Sequence, residues 1–141
     1  MKVLKGILYW LWQCTYGVLM TAIGAIVILV LICCGCKPKR FHYNIYIEVG
    51  KNWGGVNLGA FFLTCKGAGL STRQHEAGHG LQNLWWGILF PFVIAIPSAV
   101  RYWYREWYYK YKYPVTKQTL PAYSAIWFEG QADKLGQKYF N

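Results

Sequence analysis

HEAGH, residues 75 to 79, is the stretch on which the fold of this 141-residue chain depends. Its two histidines are four positions apart, so on a helix both imidazoles lie on the same face. The chain has only three histidines and five acidic residues, and this window contains two of the former and one of the latter. Two imidazoles alone do not hold a metal tightly. If the window binds a metal, another part of the chain must fold back to supply a third ligand.

FEGQAD, residues 128 to 133, is the segment that offers such a ligand. Its Glu129 and Asp133 are spaced i and i+4 on a predicted final helix. Glu129 can complete a zinc site with His75 and His79, because zinc binds histidine nitrogen and carboxylate oxygen. Asp133 can accept the second N–H of a ligand histidine and so fix its tautomer. The alternative for both motifs is a pair of ordinary solvated helix faces.

Taken together, HExxH and the later ExxxD resemble the signature of the gluzincins, the thermolysin-like class of zinc metallopeptidases. The resemblance implies that His75 and His79 bind zinc while Glu76 acts as the catalytic base. It also implies that Glu129 is the third ligand and that Asp133 supports a ligand histidine. The motif and the residues after it, HEAGHGLQ, are also similar to small uncharacterised bacterial membrane proteins that carry an HExGHxLQ pattern. Both resemblances cover short motifs and not the whole chain.

A long apolar run precedes the motif and favours attachment to a membrane. Residues 17 to 36, GVLMTAIGAIVILVLICCGC, carry no charge over 20 residues, which is enough helix to cross the hydrocarbon layer. Aromatic residues come before the run and basic residues after it, as at the two interfaces of a bilayer. A cleaved signal peptide is the alternative, but its apolar region would be shorter. We therefore predict a transmembrane anchor over residues 1 to 40 and a small zinc metallopeptidase-like domain over residues 41 to 141.

The charge of the chain points to the same kind of partner. Fifteen Lys and Arg residues against five acids give a net charge of +10, and many of the basic residues alternate with aromatic ones, as in RYWYREWYYKYKY, residues 101 to 113. This composition favours an anionic membrane surface, so membrane lipids are predicted partners. A surface that stacks single-stranded nucleic acid is the weaker alternative. The excess of basic residues after the anchor, with five cysteines that form no disulfide framework, favours a cytoplasmic position for the zinc domain.

The fold class predicted from the rest of the chain is α+β. Alternating and apolar residues indicate strands over residues 41 to 49 and 56 to 65, joined as a short β-hairpin by GKNWGG at residues 50 to 55. The helix that carries the HExxH motif follows, from Ser71 to about Gly87.

The second apolar segment, residues 84 to 100, contains two prolines and no charge. We interpret it as a proline-broken hairpin or a re-entrant segment, because a full membrane span would place Glu129 on the far side from the motif. A C-terminal helix is predicted to begin between residues 119 and 121 and to end near Gly136.

The function predicted by these features is that of a membrane-anchored zinc-dependent metallohydrolase, and in particular a peptidase with Glu76 as general base. Its substrate would be a peptide or a protein, which could add as an extra strand along residues 56 to 65. Two alternatives stay open. One is a non-enzymatic protein that binds membrane surfaces through its basic aromatic run, and the other is a zinc-binding protein without catalysis.

Overall fold

The fold is α+β, as the sequence predicts, and combines helices with one small sheet. We describe it from a computed structural model that covers residues 1–141. The helices are α1 (Lys2–Thr15), α2 (Val18–Cys33), α3 (Leu70–Trp86), α4 (Ile96–Trp107), α5 (Tyr113–Thr116) and α6 (Trp127–Tyr139). The strands are β1 (Lys39–Phe41), β2 (Asn44–Glu48), β3 (Gly55–Leu58) and β4 (Phe61–Thr64). Gly87–Leu89 and Tyr123–Ala125 are 3₁₀ turns, and Pro91–Ala95 and Tyr108–Lys112 are π-helical.

The sheet has the strand order β1-β2-β4-β3, and its pairing corrects the sequence prediction. The predicted hairpin between residues 41–49 and 56–65 is wrong, because β2 and β4 run parallel. Each predicted strand is itself a hairpin, since β1 pairs antiparallel with β2 and β3 pairs antiparallel with β4. His42, with a φ of 52°, lies in the first turn, and Gly59, with a φ of 75°, lies in the second. The first turn has neither glycine nor proline, and the second lies within an apolar run, so the sequence pattern conceals both.

The HExxH helix has the extent that the sequence predicts. α3 begins at Leu70 and ends at Trp86, where Gly87 caps it with a positive φ of 54°. One face of α3 lies on the sheet: Ala77 packs in a buried cluster that includes Phe62 of β4. The same contact points the opposite face of α3 toward α6 and the rest of the chain.

α3 and α6 approach each other unusually closely because a glycine stands at each point of contact. A Cβ atom on Gly78 would overlap the carbonyl oxygen of Ala132, and one on Gly136 would overlap that of Gln74. When the side chains at the contact are larger, the axes of two packed helices are about 8–10 Å apart. The two glycines therefore bring the two predicted metal-binding motifs side by side.

The N-terminal helices α1 and α2 meet at an angle of 99°. No single helix of the chain is long and apolar enough to cross a membrane, although α1 with α2, and Leu70–Leu89 with Pro91–Thr116, pass the same test as bent pairs. Both N-terminal helices also contact the rest of the chain; Tyr9 Oη, for example, donates a 2.6 Å hydrogen bond to Asn44 Oδ1. The transmembrane anchor over residues 1 to 40 and the division of the chain at that point stay predictions.

The apolar segment from residue 84 to 100 bends once. α3 and the helical segment Pro91–Thr116 meet at 117°, with the bend at the 3₁₀ turn Gly87–Leu89. Pro97 lies inside the second helix, directly after a π-helical turn. A π-helical turn makes room for a proline ring that a regular helix interior would not accept. The predicted break at this second proline is therefore wrong.

α6 begins at Trp127, later than the predicted start between residues 119 and 121. The residues before it form an irregular loop that two arginines of α4 hold in place. Arg101 donates to the carbonyls of Ala122 and Tyr123, and Arg105 donates to that of Pro121. Part of the basic aromatic run thus has a structural task that its composition did not reveal.

Candidate metal centre

Three side chains predicted as ligands converge where α3 crosses α6. His75 Nε2 lies 3.1 Å from His79 Nε2 and 3.0 Å from Glu129 Oε2, and His79 Nε2 lies 3.2 Å from that same oxygen. His79 and Glu129 are buried, and the His75 side chain is only 15% exposed. Because three donor atoms face one point, the group can hold a metal ion.

A hydrogen bond behind each imidazole fixes its orientation. His75 Nδ1 lies 2.7 Å from Asp133 Oδ1, and His79 Nδ1 lies 2.6 Å from Gln82 Oε1. The Gln82 amide is itself oriented, since its Nε2 donates to the carbonyl of Phe128. Both partners accept hydrogen bonds, so each ring donates from Nδ1 and directs Nε2 toward the other ligands. Asp133 thus lies behind a candidate ligand histidine, as the sequence predicts.

The second oxygen of Glu129 accepts a 2.5 Å hydrogen bond from Ser98 Oγ on α4. Ser98 is the only hydroxyl side chain between residues 84 and 100, and no spacing in the sequence relates it to α6. Gln82 is the last residue of the HEAGHGLQ stretch, but no role was predicted for it. It could have been found, because a residue three positions after His79 shares its helix face.

Burial and close contacts together set the charge of the site. Burial favours neutral His75, but hydrogen bonds and charges of the surrounding carboxylates, Glu129 foremost, outweigh it and raise the His75 pKa to about 9. Burial also disfavours a charge on Glu129, yet its contacts with His75 and His79 hold its pKa well below the ordinary value. Without a metal, His75 therefore holds a proton near neutral pH beside the Glu129 carboxylate, and a metal ion must displace that proton.

Glu76 lies beside the ligand group without belonging to it. Its side chain is buried, and its Oε2 has no hydrogen-bond partner. Burial raises the pKa of the Glu76 carboxyl. Gly55 on the edge strand β3 makes room for this side chain, because a Cβ atom there would lie 2.6 Å from Glu76 Oε1. A buried carboxylate oxygen without a partner is free to take a proton from a molecule that enters the site.

A cavity of about 490 Å³ opens directly on the ligand group, so a small molecule or a side chain can reach it. The polar residues at this end of the cavity include His75, Glu76, His79, Ser98 and Tyr123. Its apolar wall includes Val56, Phe90, Ile94, Ala99 and Trp103. A second and more polar cavity of about 410 Å³ shares His75, Glu76 and Tyr123 with the first. Glu76 therefore lines both cavities.

Tyr123 is the tyrosine closest to a predicted ligand, with its ring centroid 6.2 Å from that of His75. Its hydroxyl lies 3.5 Å from Ser98 Oγ, and burial raises its pKa to about 12, so the hydroxyl keeps its proton near neutral pH. The loop held by Arg101 and Arg105 carries this residue to the site. No sequence signal distinguishes Tyr123 among the twelve tyrosines of the chain.

No protein-family model matches this chain, and comparison with curated proteins and with solved structures finds no similar protein. The resemblance to gluzincins therefore rests on the two short motifs. The function has to be inferred from the side chains of the site and their geometry.

Proposed function

We propose that this protein is a membrane-attached, zinc-dependent peptidase whose catalytic domain lies on the cytoplasmic side. The observation that carries the proposal is the convergence of three donor atoms beside the buried, unpaired carboxylate of Glu76, on an open cavity. A structural zinc site is closed by four protein ligands, whereas a catalytic site keeps one position for water or substrate. Three ligands next to a cavity favour the catalytic type.

The donor set and its spacing support zinc. Imidazole nitrogen and carboxylate oxygen bind zinc at about 2.0–2.2 Å, which at tetrahedral angles separates the ligand atoms by roughly 3.3–3.6 Å. The three separations here are 3.0, 3.1 and 3.2 Å, so each atom needs to move only slightly. Mg²⁺ and Ca²⁺ prefer oxygen ligands throughout, and the two imidazoles argue against them.

The proposed reaction is hydrolysis of a peptide bond. Zinc bound at this site would polarise the scissile carbonyl and make a bound water more acidic. The water oxygen bonds to the carbonyl carbon while one of its protons passes to the Glu76 carboxylate. The same carboxyl then gives that proton to the leaving nitrogen as the C–N bond breaks. Tyr123, whose ring centroid lies 6.2 Å from that of His75, could donate a hydrogen bond from its hydroxyl to the negative charge that develops on the carbonyl oxygen.

A peptide substrate is supported by the strand that borders the cavity. β3 is at the edge of the sheet, and its Gly55, Val56 and Asn57 line the cavity next to Glu76. An extended peptide can pair with such an unpaired strand edge. The apolar wall, to which α4 contributes Ala99 and Trp103, would then take an apolar side chain of the substrate.

The basic aromatic run supports the rival, purely lipid-binding function less well. The guanidinium groups of Arg101 and Arg105 donate hydrogen bonds to backbone carbonyls of residues 121 to 123. These hydrogen bonds place Tyr123 in the site. Such an arrangement positions a side chain for chemistry, which a purely lipid-binding function would not require.

The test of the proposal compares Glu76→Gln with the wild-type protein. Glu76→Gln removes a base and no ligand, so it should keep one zinc ion per chain and lose cleavage of a proteome-derived peptide library by about a hundredfold or more. Glu48→Gln is the matched control, since Glu48 pairs with Lys39 on the sheet and should leave both properties unchanged.

The readouts are zinc content by mass spectrometry and new peptide termini over time. If the wild-type protein retains no zinc, the metal centre is refuted. If Glu76→Gln cleaves as fast as the wild type, Glu76 is not the base. A protein that holds zinc but cleaves no peptide would support the alternative of zinc binding without catalysis.

A further inference from the structure

The two bends of the helical chain lie against each other. We call Tyr16–Gly17, between α1 and α2, the first elbow and the 3₁₀ turn Gly87–Leu89 the second elbow. A Cβ atom on Gly87 would lie 2.8 Å from the carbonyl oxygen of Tyr16, so the two backbones are in contact. The Trp12 indole also donates a 3.1 Å hydrogen bond to the carbonyl of Leu84. Two segments far apart in sequence thus bend at the same place.

Buried polar side chains fasten the elbows together. Asn83 Nδ2 donates to the carbonyl of Gly17 and to Gln13 Oε1, and Gln13 Nε2 donates to the carbonyl of Gly80. Gln13 and Asn83 are fully buried. These hydrogen bonds from side-chain amides satisfy backbone groups that the bends expose. The joined elbows therefore form one rigid unit.

The outer surface of this unit is apolar and uncovered. Six side chains form what we call the elbow patch, and each has half or more of its surface exposed: Leu11, Trp12, Tyr16, Trp85, Ile88 and Leu89. The patch is continuous across both elbows, because the Trp12 and Tyr16 rings pack at 6.4 Å and both residues contact the end of α3. Exposed apolar patches of this kind mark interaction surfaces.

The charges of the chain avoid the elbows and flank them. Residues 6 to 36 and 80 to 100 contain no charged side chain, and each elbow lies inside one of these runs. The first run is bounded by Lys5 and Lys37, and the second is followed by Arg101. The basic residues therefore lie at the ends of these runs, away from the elbows. Apolar tips with cations behind them are what an anionic bilayer attracts.

We infer that the joined elbows insert as a wedge into one leaflet of an anionic bilayer and hold the metal centre at the level of the lipid headgroups. Half of the hydrocarbon layer is about 15 Å deep, and the uncharged part of α1, from Gly6 to Thr15, is roughly 15 Å long. His79 lies roughly 12 Å from Gly87 along α3. Insertion of the joined elbows would replace the single straight span expected from residues 17 to 36. It does not depend on catalysis.

The first test is flotation of the full-length protein with vesicles of phosphatidylcholine and phosphatidylglycerol. The double variant Trp85→Asp/Ile88→Asp should reduce the vesicle-bound fraction at least about tenfold, because a carboxylate is costly in hydrocarbon. Leu70→Asp is the matched control, since Leu70 is exposed at the opposite end of α3 and should leave flotation unchanged. The circular dichroism spectrum of each sample reports whether the variant is folded, whether or not it holds zinc.

The second test separates a wedge from a span. In a variant without the five native cysteines, cysteine is introduced in place of Lys2 or Lys37, which flank the first uncharged run. Sealed membrane vesicles from expressing cells are treated with an impermeant thiol reagent, with and without detergent. The wedge predicts that both positions react on the same side.

Three results overturn the inference. Labelling on opposite sides would make the N-terminal segment a true span. Failure of the wild-type protein to float would refute insertion into the bilayer, and concentration-dependent self-association that is lost in Trp85→Asp/Ile88→Asp would assign the patch to a second copy of the chain. Neither test measures cleavage, so zinc-dependent hydrolysis can hold or fail independently of these outcomes.

Discussion

Gly78→Ala tests whether the close crossing of α3 and α6 sets the metal affinity. The added Cβ would overlap the carbonyl oxygen of Ala132, so α6 must withdraw by roughly 1 Å or more to restore van der Waals contact. Glu129 lies one helical turn before Ala132 and moves with it. Zinc–ligand distances tolerate only about 0.2 Å of variation. The substitution should therefore remove the third ligand from its place.

The expected loss of zinc affinity is large. Changes to residues that only support a ligand lower metal affinity about 10- to 100-fold, and displacement of a ligand itself should exceed that range. We expect Gly78→Ala to raise the zinc Kd at least about a hundredfold, or roughly 3 kcal/mol. The unfolding free energy of the metal-free protein should fall by about 1–3 kcal/mol, as overpacking does.

The assay is a competition titration against a chromophoric zinc chelator, with thermal unfolding of the metal-free protein beside it. Gly69→Ala is the control, because Gly69 precedes the same helix with a φ of −71° and a Cβ there would contact nothing within 4 Å. A folded Gly78→Ala protein with the zinc Kd of the wild type would refute the reasoning that the helix crossing builds the site.

Three further predictions follow from single contacts. Gly55→Ala should displace Glu76 and lower the rate of peptide cleavage about a hundredfold, while zinc binding is kept. Gly54→Ala is the control in the same assay, because a Cβ atom there meets nothing within 4 Å. Ser98→Ala should weaken zinc binding about 10- to 100-fold in the chelator titration, and an unchanged Kd would show that its hydrogen bond does not orient Glu129. Zinc affinity should rise about tenfold per pH unit between about pH 7 and pH 9, because zinc competes with the proton on His75 below its pKa of about 9; a flat profile would contradict that pKa.

The parts of the site that helix geometry controls were predictable from sequence. The spacing of His75 and His79, and that of Glu129 and Asp133, puts each pair on one helix face whatever the rest of the chain does. The end of α3 followed from Gly87, whose positive φ ends the helix. Short-range rules are enough for such features.

The remaining features depend on contacts that no local pattern records. The two hairpins were misread because the turn at His42 has no glycine or proline and the turn at Gly59 lies within an apolar run. Ser98 reaches Glu129 only because the chain bends sharply after α3, and Tyr123 reaches the site only because Arg101 holds its loop. Sequence identifies the ligands more readily than the residues that position them.

The central claim, that His75, His79 and Glu129 hold zinc, is tested most directly by X-ray absorption at the zinc edge on the protein in solution. The claim predicts a first shell of nitrogen and oxygen atoms alone, at about 2.0–2.2 Å, with the outer scattering of two imidazoles. The chain also has five free cysteines, which are strong zinc ligands. A sulfur shell at about 2.3 Å, or the absence of imidazole scattering, would contradict the claim.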